Sequence, residues 1–118
     1  MADRISAAHR QAPSDLFVVL AGNLHTRVEG TTPYVPMGVL LGQREPAMSR
    51  TALNVAYSGG TAWTCTGAEP ESCQVRELKG RPIDVKIPAV RVFETRQRGY
   101  DGEYLVGSIS ASPPAVAR

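Results

Sequence analysis

Apolar positions cluster most densely in LFVVLAG, residues 16–22, five hydrophobic side chains in a row running into Ala21 and Gly22. A run of that length with no polar alternation predicts a strand covered on both faces, as in the interior of a parallel sheet. Before it, residues 2–11 lack glycine and proline and are rich in good helix formers. Ile5, Ala8 and Ala12 supply only a thin apolar stripe there, and Pro13 followed by Ser14 and Asp15 marks a turn. Helix, turn and buried strand make half of a βαβ unit, without the strand that should precede the helix.

The pattern loosens afterwards. Pro36 opens a short helix expected through Val39 to Gln43, which must end before Pro46. Two strand-like runs, RTALNVAYSGG and TAWTCTG, flank Gly59-Gly60 and predict a hairpin over about 50–66. GAEPES reads as a loop and CQVREL as a short strand. Prolines 82 and 88 exclude a long helix over 79–98. DGEYLVGSIS predicts a closing strand over about 103–109, and Pro113-Pro114 lead out of the domain. The expected architecture is α/β: a partial three-layer sheet around a central buried strand, 16–21, with an N-terminal helix, the hairpin and the C-terminal strand. It forms a single domain over 1–110 with a tail over 111–118.

Composition agrees with a globular chain. It has 118 residues, 42% hydrophobic and 20% charged, with a formal net charge of +2. Thirteen basic residues nearly balance eleven acidic ones and are scattered, so no basic stripe points to nucleic acid. No apolar run approaches the ~20 residues of a membrane span. MADRISAAHRQAPSD has no apolar core of a secretory leader.

The two cysteines, Cys65 and Cys73, frame CTGAEPESC. Their spacing is too wide for a redox CxxC, and they lack companions for a zinc site. Two readings stay open: a disulfide across a surface loop, contributing roughly 2–3 kcal/mol by loop closure, or two neighbouring free thiols. A disulfide would place the protein in an oxidising compartment.

Candidate chemistry gathers after the apolar run, in GNLHTR. Ligands of open α/β sheets bind beyond the carboxyl ends of strands. Gly22 allows a sharp turn or a close approach to a ligand, and Asn23 offers an amide donor and acceptor. His25 is then placed to act as general base, acid or metal ligand, and Arg27 to meet an anion. A loop histidine bonded to backbone is the bland alternative. Tyr100, Asp101 and Glu103 either line a pocket or form the turn into the last strand. GxSxG, GxGxxG, phosphate-loop and HExxH motifs are absent from the sequence.

MADRI, the following VVLAGNLHTR, PYVPMG, AYSGGTAWTC and GYDGEYLVGSISASPP together resemble the C-terminal half of the haem-binding-uptake superfamily. That superfamily includes the Tiki and ChaN-like proteins and is similar to the erythromycin esterase-like proteins. In these, a helix carrying Arg-Asp/Asn-x-x-Met-Ala precedes a buried strand that ends in a Gly-Asn/x-x-His motif. The resemblance spans nearly the whole chain. It implies that His25 stands at a cleft with Gly22 and Asn23 as motif neighbours, and that the full-length form is periplasmic or secreted. It further implies a divalent metal or haem as cofactor, and a small-molecule or haem ligand. Met1 falls on the methionine of the helix motif, so the arginine and acidic residue before it, and a Gly-Glu-x-His motif, would lie upstream. On this reading the chain is a C-terminal fragment of a ligand-binding or metal-dependent hydrolase-like domain, inactive by itself.

The competing class is a non-enzymatic binding module that meets a partner through its sheet or through loop 26–36. A sheet lacking its other half would expose apolar surface and a strand edge, and would invite self-association.

Overall fold

The computed structural model describes residues 1–30, 33 and 35–112. Three helices and six strands are assigned among them: α1 (Ala2–Gln11), α2 (Asn23–Thr26), α3 (Met37–Arg44), β1 (Leu53–Ala56), β2 (Gly59–Cys65), β3 (Cys73–Lys79), β4 (Ala89–Gln97), β5 (Tyr100–Leu105) and β6 (Ser108–Ile109). A 3-10 turn, Pro70–Ser72, precedes β3. The strands form two small sheets, ordered β1-β5-β4 and β3-β2-β6. Mixed helices and strands with an N-terminal helix make this an α/β chain. It divides into two compact units, one of residues 1–54 with 91–103, the other of 55–90 with the chain from 104 onward.

In the first unit α1 packs on α3. Ala2, Met37 and Leu41 are buried at the contact, and Ile5, Ala21, Leu40 and Met48 close around them. The stripe on α1 is as thin as its sequence suggests: Ala2 and Ser6 are its buried residues, with Ile5 half-buried. Ion pairs Arg10–Glu45 and Arg44–Asp3 link the same two helices at the surface. Pro36 precedes the first turn of α3, where its missing N–H leaves no bond unmade. Gly38 on α3 meets the carbonyls of Thr26 and Arg27 so closely that a Cβ would collide with them. The absence of a side chain thus lets α3 seat the end of α2.

The second unit is built on the β2–β3 ladder, antiparallel from Gly59↔Lys79 to Cys65↔Cys73, with β6 parallel to β2 through Gly59↔Ser108 and Gly60↔Ile109. Cys65 and Cys73 are bonded as a disulfide at the end of the ladder, their Cα atoms 3.9 Å apart. Of the two readings of CTGAEPESC, the bridge is the one the fold adopts. Gly60 has φ +121°, and a Cβ there would strike the Ile109 carbonyl. Only glycine lets β6 pair so closely with β2.

Three expected elements are corrected. Residues 16–21 are not a central buried strand: the segment carries no helix or strand, and Leu16, Val18 and Leu20 are 90%, 88% and 90% exposed. Phe17 and Val19, each 39% exposed, alternate with them, and Phe17 sets its ring edge-on to His9 at 6.3 Å. Exposure along the run alternates with period two, but among the described residues no strand pairs with it. Apolar composition calls for cover on two faces, and the described chain shields only one of them in part. The hairpin over 50–66 also fails, because β1 pairs with β5 and β2 with β3. Gly59 and Gly60, at φ +140° and +121°, are the first two residues of β2, paired with Lys79 and Leu78. The closing strand over 103–109 splits at Gly107 (φ +74°) into β5 and β6, which join different sheets. The α1 helix, the α3 helix and the CQVREL strand occur as expected. Of the tail expected over 111–118, residues 113–118 lie outside the described residues.

Candidate functional site

The turn after the apolar run folds into α2, a single helical turn. The His25 amide donates to the Gly22 carbonyl at 2.9 Å, and the Thr26 hydroxyl donates to the Asn23 carbonyl at 2.9 Å. The same Asn23 carbonyl accepts the hydroxyl of Tyr100 at 2.6 Å. Tyr100 is buried at the start of β5 and in turn accepts from Arg27 Nε at 3.2 Å. The Arg27 guanidinium lies over the Tyr100 ring, 5.6 Å from its centroid. A buried phenol thus fixes both ends of the GNLHTR turn, each bond satisfying a polar group removed from water.

A second set of bonds fixes the segment that follows. The Val28 amide donates to the Gly99 carbonyl at 3.0 Å. Arg96 donates from Nη1 to Glu29 at 2.7 Å and from Nε to Asp101 at 2.8 Å. The two carboxylates raise its pKa above the ordinary arginine value, Glu29 contributing most. Asp101 also accepts from the Ala52 amide, and its own amide donates to the Ala52 carbonyl, both at 2.8 Å. Asp101 therefore ties β5 to the chain entering β1 and does not line a pocket.

Between these anchors lies a cleft of about 430 Å³ within the first unit. Asn23, Leu24 and Arg27 form one wall; Asn54, Phe93, Gln97, Arg98, Tyr100 and Glu103 complete it. Of the expected site residues, Asn23 and Arg27 meet there. Gly22 and His25 are outside its lining: His25 is exposed on α2, and a Cβ on Gly22 would rest 3.5 Å from the His25 ring. Tyr100 and Glu103 of GYDGEY do line it. Phe93, Gln97, Arg98 and Asn54 were not anticipated. Phe93 and Gln97 lie on β4 and Arg98 in the turn after it, where Gly99 following the strand-like VRVFET run is the one turn signal the sequence carries.

Among the described residues no side chains assemble a metal or haem site. Among the described residues no three His, Cys, Asp or Glu side chains converge as a metal would require. The cleft lining contains no histidine, cysteine or methionine for a haem iron, and the Tyr100 hydroxyl is already engaged by Asn23 and Arg27. What the arrangement offers instead is two cations, Arg27 and Arg98, beside amide side chains and one carboxylate. Among the described residues no helix is long and apolar enough to cross a membrane. Neither a family model, a curated protein nor a solved structure matches this chain.

Proposed function

We propose that this chain is one part of a ChaN/Tiki-like ligand-binding domain, with the Asn23–Arg27 turn as a wall of the ligand cleft. It binds there and does not turn substrate over by itself. One observation carries this reading: LFVVL, a segment with the composition of an interior strand, lies solvent-exposed immediately before the turn that enters the cleft. A segment of that composition is stable in water only when other strands and layers cover it. His25 is exposed on the turn and outside the cleft lining, so on this reading any chemistry it performs needs groups from the covering part. The disulfide is consistent with folding in an oxidising compartment, periplasmic or extracellular.

Two measurements test it. The nucleotide sequence upstream of Met1 should encode an in-frame Gly-Glu-x-His motif, and a stop codon directly upstream with no such motif would contradict the reading. Assays of the chain with chromogenic esters, with and without added divalent metal, should show no turnover above buffer. Turnover lost in His25→Ala would refute the binding-only assignment.

The exposed LFVVL run also supports a second reading, an interaction module that recruits a partner or a second copy through an unpaired strand. The two differ in what the cleft does: only the first requires it to hold a small ligand.

A further inference from the structure

We propose that the cleft takes a compact oxyanion, a carboxylate or phosphate carried on a small apolar or ring-shaped body, and that Arg98 is its principal anion contact. This rests on the reading of the Asn23–Arg27 turn as a ligand-cleft wall.

Arg98 and Gly99 form the two-residue turn between β4 and β5, with φ +53° and +84°. Two positive φ values in succession are the geometry of a type I′ hairpin turn, whose first position favours Asn, Asp or Gly. Arginine there holds the backbone in a left-handed conformation that costs it stability. It is the one non-glycine residue with positive φ among the described residues. The side chain placed at that cost lines the cleft, and among the described residues its guanidinium has no hydrogen-bond or ion-pair partner.

The neighbouring cation is fixed. Arg27 spends Nε on Tyr100, leaving its two terminal nitrogens without a hydrogen bond among the described residues. The turn and the Arg27–Glu29 segment are pinned together: Val28 bonds Gly99, and a Cβ on Gly99 would come within 2.8 Å of the Glu29 carbonyl and 3.3 Å of Arg27 Cβ. Both arginines therefore belong to one hydrogen-bonded junction and line the same cleft. The acidic groups nearby are occupied. Arg96 holds Glu29 and Asp101, and Arg91 lies 4.0 Å from Glu103, the lone carboxylate in the lining. Two arginines against one paired glutamate leave the cleft positive. Guanidinium forks match the planar spacing of carboxylate and phosphate oxygens. Leu24 and half-buried Phe93 supply the apolar surface for a small body, and Gln97 supplies a neutral donor.

The test is titration calorimetry of the oxidised full chain at low salt with benzoate, inorganic phosphate and neutral benzamide. Benzoate, phosphate or both should bind, benzamide at least tenfold more weakly, with affinity falling as salt rises. Whichever oxyanion binds more tightly identifies the ligand as a carboxylate or a phosphate. Arg98→Asn should weaken binding at least tenfold while leaving Tm unchanged or raised, since asparagine suits the turn. Arg98→Lys should keep part of the affinity. Unchanged binding in Arg98→Asn overturns the assignment to Arg98. Benzamide binding as tightly as benzoate overturns the oxyanion inference but leaves a ligand cleft standing. No binding by any of the three probes overturns both.

Discussion

Arg27 and Tyr100 are joined twice: Arg27 Nε donates to the Tyr100 hydroxyl at 3.2 Å, and the guanidinium lies 5.6 Å from the centre of the ring. Because the same hydroxyl donates to the Asn23 carbonyl, one buried side chain holds the whole turn that walls the cleft. Tyr100→Phe keeps the ring and removes both bonds. It should lower stability by about 1–2 kcal/mol, the cost of leaving partly buried partners unmatched. Urea unfolding should show this as a lower midpoint at unchanged slope. It should also weaken oxyanion binding, because Arg27 loses its anchor. An unchanged midpoint would mean that water replaces the phenol without cost.

The disulfide closes a short loop at the end of the β2–β3 ladder. Replacing both cysteines by serine should cost roughly 2–3 kcal/mol by loop-closure entropy. Thermal unfolding of the Cys65→Ser/Cys73→Ser chain, compared with the oxidised parent, measures it. The cleft is built from the first unit, so its probe affinity should be unaffected at a temperature where both proteins are folded. A loss of affinity would tie the ladder to the cleft.

The exposed run gives a prediction of the opposite sign. Val18 is 88% exposed, so Val18→Lys should change the stability of the monomer by no more than about 0.5 kcal/mol. It should nevertheless reduce self-association, since a charge in an unpaired apolar strand opposes edge-to-edge pairing. Sedimentation at rising concentration should show the parent chain forming larger species and the variant staying monomeric. Identical behaviour of the two would remove the run as an interaction surface.

The same run shows where sequence reasoning succeeded and where it stopped. The strand expected over 16–21 is not assigned, and only the exposure alternating at period two is strand-like. The exposure of the run was not legible either, because burial depends on which other elements come to cover a segment, a tertiary matter. Helix α1 was legible to its ends, since nothing between Ala2 and Gln11 breaks it and Pro13 follows. The Gly59-Gly60 pair misled, because positive φ occurs in a hairpin turn and, as here, at the start of a strand, and partner choice is a tertiary matter. At the cleft, Asn23 and Arg27 came to the lining from the stretch that the sequence singles out. Arg98 did not, because its proximity to Arg27 arises from the Val28–Gly99 bond, a contact across 71 positions of sequence.

The central claim is that the Asn23–Arg27 turn walls a cleft that holds a small ligand. It is tested most directly by two-dimensional amide NMR of the oxidised chain titrated with benzoate and phosphate. Saturable shifts should concentrate at Asn23, Leu24, Arg27, Arg98 and Tyr100, with the Cys65–Cys73 ladder unmoved. Shifts centred on the ladder, or no saturable shifts at any of the five, would contradict it.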